Sequence, residues 1–112
     1  MDELTTTTTS WAASLDKGKV TEIEIAPEDV GLKRTTIDKL KGGDPAHNAE
    51  AIRSVLAGQQ NAFRDIVILN SAAALMVAGK AKDLKEGAAL AASSIDSGRA
   101  KATLEALVRI CK

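Results

Sequence analysis

The stretch from Arg64 to Gly79, R-D-I-V-I-L-N-S-A-A-A-L-M-V-A-G, constrains the fold of this chain more than any other. Beyond Asp65 it carries no charge, and Asn70 is its one strongly polar side chain, so it must lie inside whatever the other residues build. Ile66 to Leu69 alone is compatible with a buried strand, but alanine-dominated Ser71 to Ala78 favours helix, and the length of the run decides for helix. Roughly four turns place Phe63, Ile66, Asn70, Ala73 and Val77 on one side, and Leu69, Ala72 and Met76 on another. The prediction is a central core helix wetted on almost no side. It is too short, and too interrupted by Arg64, Asp65 and Asn70, for a membrane span of about 20 apolar residues. A buried amide without a partner costs about 1–3 kcal/mol. Asn70 is therefore expected to bond the backbone of a neighbouring segment and lock the packing.

With 112 residues the chain forms a single domain. Its formal net charge is +0, which gives no electrostatic reason to expect nucleic acid or a charged membrane surface as partner. Trp11 and Phe63 are the only aromatic residues, so the core must be aliphatic and alanine-rich, with helices in close approach and little surface for stacking bases or sugars. The single cysteine, Cys111, cannot form an internal disulfide, and a reduced, cytoplasmic setting is the expectation. Met1 to Ser14 lacks the basic start and apolar centre of a signal peptide.

Met1 is followed by Asp2, Glu3 and Leu4, then by five threonines whose β-branching favours extended backbone. Trp11 to Leu15 and Val20 to Ile25 flank the turn cluster Asp16-Lys17-Gly18-Lys19, which predicts a hairpin over about residues 10–25. In its second strand Ile23 and Ile25 alternate with Glu22 and Glu24, implying one covered and one wet face. Pro27 ends that strand, and Ala26 to Arg34 is a connecting loop with a turn at Gly31. Thr35 or Thr36 is placed to cap a short helix over about 35–41, which Gly42-Gly43 ends. Asp44-Pro45 starts the next, over about 45–57, with Ala49, Ile52, Val55 and Leu56 as its buried stripe and Gly58 as its stop. The central helix occupies about 62–78. Two amphipathic helices follow over about 83–96 and 99–111, divided by Ser97-Gly98, the last with Ala100, Thr103, Leu104, Leu107, Val108 and Cys111 along one side. The fold class is α+β, mainly helical with an N-terminal β-hairpin.

Asp2-Glu3 is the sharpest candidate for chemistry. Adjacent carboxylates on an irregular segment can offer oxygens to Mg²⁺, which accepts one or two carboxylates and completes its shell with water or substrate phosphate. Adjacent acids near a terminus are more commonly just solvated. Lys41-Gly42-Gly43-Asp44 resembles a phosphate loop at a helix start, yet Asp44 at the cap occupies the free N–H donors and repels an anion, which favours a plain helix stop and start. His47 has no second histidine or cysteine with which to build a metal site, and Cys111 has no base beside it. No nucleophile-base-acid set is visible, and no Walker or dinucleotide fingerprint occurs.

Several stretches together resemble the C-terminal part of the anthranilate phosphoribosyltransferases, of the nucleoside phosphorylase-like phosphoribosyltransferase family. They are Met1-Asp2-Glu3-Leu4, Pro27 to Leu32, Gly42-Gly43-Asp44 with Asn48-Ala49, Arg64-Asp65 with Leu69 to Leu75, and Ala92 to Gly98 with its Ile95-Asp96-Ser97-Gly98. The resemblance implies the C-terminal portion of an α/β catalytic domain. The implied reaction is transfer of phosphoribosyl from 5-phosphoribosyl 1-diphosphate to anthranilate in tryptophan biosynthesis, with Mg²⁺ on the diphosphate. It also implies that Asp2 and Glu3 are the metal-binding element, and that Gly42 to Asp44 is a second family motif rather than the diphosphate loop. The family's glycine-rich diphosphate loop, its Lys-His-Gly segment and its anthranilate-contacting residues have no counterpart here. Thr8-Thr9 and Trp11-Ala12 stand where the family usually has Gly-Pro and Lys/Arg-Val. The chain is thus expected to be a C-terminal piece, inactive alone, that forms a homodimer or associates with an N-terminal portion. The readings set against this are a nucleic-acid-binding relative, which the mixing of lysine and arginine with acids disfavours, and a self-associating helical scaffold with an open sheet edge.

Overall fold

The computed structural model describes residues 1–112. After an irregular N-terminal segment the chain forms an antiparallel hairpin, β1 (Ser10–Asp16) and β2 (Lys19–Ile25). Two single 3₁₀ turns follow, Pro27–Val30 and Ile37–Leu40. Four α-helices complete the chain: α1 (Pro45–Leu56), α2 (Ala62–Val77), α3 (Leu84–Asp96) and α4 (Arg99–Ile110).

Local chemistry sets these boundaries. Asp16 pairs with Lys19, leaving Lys17 and Gly18 as a two-residue loop, both at positive φ (49° and 80°), the turn whose twist matches that of the strands. Each of the first three helices begins on a side-chain oxygen that takes a free N–H. Asp44 accepts from His47 N–H at 2.8 Å, with Pro45 in the first helical position. Asn61 accepts from Arg64 N–H at 2.9 Å, and Asp83 from Glu86 N–H at 2.8 Å. Glu86 also reaches back to accept Lys82 N–H at 2.7 Å, which holds the peptide just before the cap. No helix is long and apolar enough to cross a membrane.

The core lies between α2 and α3, with α1 against one end. Val55 of α1, Ile68, Leu69 and Ala72 of α2, and Ala88, Ala91 and Ile95 of α3 are all buried. An aliphatic, alanine-rich interior lets the two central helices approach closely. A Cβ on Gly87 would stand 2.6 Å from the Ala72 carbonyl oxygen, so the residue there has to be glycine. This is the close packing that the scarcity of aromatic side chains leads one to expect.

Several expectations need correction. The predicted division of α2 into faces missed its innermost row: Arg64, Ile68 and Ala72 recur every four residues, and Leu69 joins them inside. Nor is α2 wetted on almost no side, since Val67, Ala74 and Val77 are exposed and Val77 is 86% accessible. The helix expected over 35–41 contracts to the 3₁₀ turn Ile37–Leu40, with no side-chain cap from Thr36, because a four-residue segment cannot sustain α-helical bonding. Ile52, assigned to the buried stripe of α1, is exposed. The alternation of β2 is real: Ile25 is buried and Ile23 half-buried on the face they share with Ser10, Ala12 and Ser14, whereas the exposed Trp11, Leu15 and Val20 lie with Glu22 and Glu24 on the wet face, which is more apolar than expected. The apolar side of α4 is likewise open, as that helix has no buried residue.

Candidate functional site

Residues 1–9 form no helix or strand, yet they are held in place. The threonine run folds on itself through its own hydroxyls. Thr5 N–H donates to Ser10 Oγ (3.0 Å), Thr7 N–H donates to Thr5 Oγ1 (3.1 Å), and the Thr5 and Thr7 hydroxyls share a 2.9 Å bond. Thr6 is completely buried, and its carbonyl accepts Thr35 N–H at 3.0 Å. Arg34 braces the far end, donating from Nη2 to Thr9 Oγ1 (3.2 Å) and from Nε to Glu28 (2.7 Å). That last hydrogen bond, more than the guanidinium's charge, holds the Glu28 carboxyl below its ordinary range.

Asp2 and Glu3 are exposed at the front of this segment. Both border an open hollow of about 480 Å³ whose other walls are mostly the threonine loop, Trp11 and Ile37. Glu3 also borders a second hollow, of about 330 Å³, against Phe63, Ile66 and Asn70 of α2. No third histidine, cysteine, aspartate or glutamate joins the pair to form a group able to hold a metal ion by itself. The segment is tied down at Leu4. Its N–H donates to Asn70 Oδ1 at 3.0 Å, and its carbonyl accepts from Asn70 Nδ2 at 2.8 Å, while the same Nδ2 donates to Ile66 C=O at 3.0 Å. The amide in the apolar helix thus bonds the backbone of a neighbouring segment, and that segment carries the two acids.

The remaining sequence candidates do not join this site. At Gly42-Gly43-Asp44 the donors are already occupied. Asn48 accepts Gly43 N–H at 2.8 Å and donates to Gly43 C=O at 3.0 Å, while Asp44 takes the helix N–H. A Cβ on Gly42 would meet Asn48 Oδ1 at 2.9 Å and one on Gly43 the His47 ring at 3.0 Å, so the glycines make room for these side chains and not for a phosphate. His47 and Cys111 are exposed and unaccompanied. Sequence reasoning missed the ion pair of Arg64 with Asp96. Arg64 is 4% exposed; its Nη2 donates to Asp96 Oδ2 at 2.9 Å, and its Nη1, with no other partner, lies 2.8 Å from Oδ1. The signal was present as a charge at the head of an apolar run and another at the end of α3. Beside it, burial pushes the Asp65 carboxyl up, and the nearby Arg64 charge only partly offsets this.

Comparison with known proteins places this geometry in a family. Residues 1–101 match the model of the glycosyl transferase family, a/b domain. The anthranilate phosphoribosyltransferase of Parvibaculum lavamentivorans is 60% identical over 108 residues, which is 96% of this chain and 32% of that protein. Among solved structures, the anthranilate phosphoribosyltransferase of Thermus thermophilus superposes with a TM-score of 0.88 at 38% identity, over 97% of this chain and 32% of its own. A single-residue variant of the Saccharomyces cerevisiae enzyme with Mg bound superposes with a TM-score of 0.84 at 26% identity, over 94% of this chain and 31% of its own. The chain therefore spans about a third of the length of these relatives. With nine-tenths of its residues matched and its fold shared, the chain belongs to the glycosyl transferase family, as part of its α/β domain.

Proposed function

We propose that this chain serves in an anthranilate phosphoribosyltransferase, moving the phosphoribosyl group of 5-phosphoribosyl 1-diphosphate onto the amino group of anthranilate, in the cytoplasm, as a step of tryptophan biosynthesis. The observation that carries this reading is the 60% identity to a relative of that name across nearly the whole chain. Within that activity the role assigned to the chain is to contribute Asp2 and Glu3 to a magnesium-diphosphate site. The donor chemistry fits. Two exposed, adjacent carboxylates with no third protein ligand are too few to cage an ion, but they suit Mg²⁺, which takes one or two carboxylates and fills its octahedron with water and phosphate oxygens. Bound there, Mg²⁺ supplies charge neutralisation for the departing diphosphate.

The chain's own part is positional. Asn70, holding Leu4, and the threonine loop after it fix the backbone immediately following the acids, so the carboxylates border the hollow without collapsing onto a helix N-terminus or a lysine. The Arg64–Asp96 pair and the Gly42–Asp44 turn are framework. The chain's partner in this reading is the remaining portion of an enzyme of the relatives' length, with a homodimer as its assembled form. In the complete enzyme, Asp2→Asn with Glu3→Gln is expected to raise the Mg²⁺ concentration needed for half-maximal turnover by tenfold or more. An unchanged Mg²⁺ dependence removes the pair from the site. The purified 112-residue chain is expected to transfer no phosphoribosyl group, and turnover by it alone refutes this division of labour.

A further inference from the structure

We propose that Asn70 is a positioning residue for the acidic pair: from its fixed place on α2, its side-chain amide sets where Asp2 and Glu3 stand by gripping the Leu4 backbone from both sides. The inference rests on the reading that the pair holds Mg²⁺, and it adds the group that makes their placement reproducible. Residues 1–4 have no regular structure, and the only hydrogen bonds they make are the two to Asn70. The third bond, from Nδ2 to the Ile66 carbonyl one turn back, fixes which way the amide faces. Reversing it would set Oδ1 against two carbonyl oxygens and Nδ2 against an N–H. The grip is therefore oriented and comes from a helix whose neighbours, Leu69 and Ala72, are fully buried. Glu3 is one residue from the gripped peptide and Asp2 is two. A segment this short transmits a lateral shift at Leu4 to both carboxylates, and a shift of even an ångström at a metal ligand is costly.

The test uses the complete enzyme chain that carries this sequence, with Asn70→Leu, Leu4→Pro and the Asp2→Asn/Glu3→Gln pair. Three readouts are followed: calorimetric titration of Mg²⁺ with the sugar diphosphate present, hydrogen-deuterium exchange of the Asp2–Thr9 segment, and the thermal midpoint. Leu4→Pro removes the donated N–H from the other partner and leaves α2 intact, so it serves where Asn70→Leu fails to fold. Asn70→Leu, which loses both bonds to Leu4, is expected to weaken Mg²⁺ binding about tenfold, and Leu4→Pro, which loses one of them, about threefold; both should speed exchange in Asp2–Thr9. The Leu4 variant should do so with little change in midpoint. If the carboxamide pair weakens Mg²⁺ binding while Asn70→Leu and Leu4→Pro lower only the midpoint, Asn70 is a packing residue and the inference is overturned. If the carboxamide pair leaves Mg²⁺ binding as it was, the metal reading itself fails, and the inference goes with it.

Discussion

Replacing Gly87 by alanine sets two well-known effects against each other at one position. In an exposed helix interior the change stabilises, because alanine is about 1 kcal/mol better than glycine. Here the added methyl would stand 2.6 Å from the carbonyl oxygen, 2.9 Å from the Cα and 3.1 Å from the carbonyl carbon of Ala72. These are backbone atoms in the most deeply buried part of α2, so no rotamer change relieves the contact. The helices would have to part by most of an ångström, at the place where Ala88 and Ala91 pack. Overpacking of this kind costs about 1–3 kcal/mol, and a rigid obstacle belongs at the upper end of that range. A gap of that size also forfeits a quarter to a half of each dispersion contact along the seam. The propensity gain offsets about 1 kcal/mol, leaving a net destabilisation of about 2 kcal/mol. For a domain of this size that lowers the thermal midpoint by roughly 8 °C. Urea unfolding followed by circular dichroism should show a lower midpoint with an unchanged slope. Adding Ala72→Gly should restore nothing, because glycine keeps all three offending atoms. A Gly87→Ala variant as stable as the parent, or one rescued by Ala72→Gly, would refute this account of the α2–α3 seam.

Two further outcomes follow from the charges. Asp96 is 53% exposed and Arg64 4%, so truncating the pair should be asymmetric: Asp96→Ala strands a buried guanidinium and should cost about 3 kcal/mol, whereas Arg64→Met leaves a hydrated carboxylate and should cost less than half as much in the same urea assay. Asp65, whose carboxyl burial has pushed up, binds its proton more tightly folded than unfolded; its ionisation therefore subtracts stability as pH rises from the unfolded value of about 4 through the higher folded one, and Asp65→Asn should gain on the parent across that interval, a flat difference between pH 3 and 7 being the contrary result.

How much of this could be read from the chain depends on whether the information is local. Helix starts were legible because a side chain three residues away satisfies them, as at Asp44-Pro45 with His47. The hairpin loop was legible because Gly18 tolerates positive φ. That Asn70 must bond a backbone followed from the cost of burying an amide, but that the backbone is Leu4, 66 residues earlier, did not, since nothing local encodes a pairing at that distance. Burial was the least legible property. Periodicity shows which residues a helix would prefer to hide and not whether anything covers them, and the apolar stripe of α4, with Ile52 of α1, is where the two part company. Arg64 failed in the opposite direction: a charge reads as exposed until its counter-ion, 32 residues away, is known. At the candidate site, Asp2 and Glu3 stood out by type, while the structure added the threonine loop and the amide that hold them.

The placement of that amide explains why α2 is the element on which both the fold and the site depend. Ordering a chain segment costs about 1–2 kcal/mol per residue in backbone entropy, and residues 1–4 make no hydrophobic cluster of their own to offset it. Two adjacent carboxylates add mutual repulsion that favours a spread ensemble. Exposed side chains cannot overcome these costs, because their bonds compete with water. A bond anchored in the core can, since its geometry is fixed before the segment arrives. Asn70 sits one residue after Leu69 and two before Ala72, both wholly buried, so its position is determined by the same close packing that requires Gly87 on the facing helix. A change that widens the α2–α3 seam thus reaches the acids through a single rigid helix, with no loop between to absorb it. The tightness of an alanine-rich core, legible from the near absence of aromatic residues, is in this sense the physical condition for holding two charges steady at the surface.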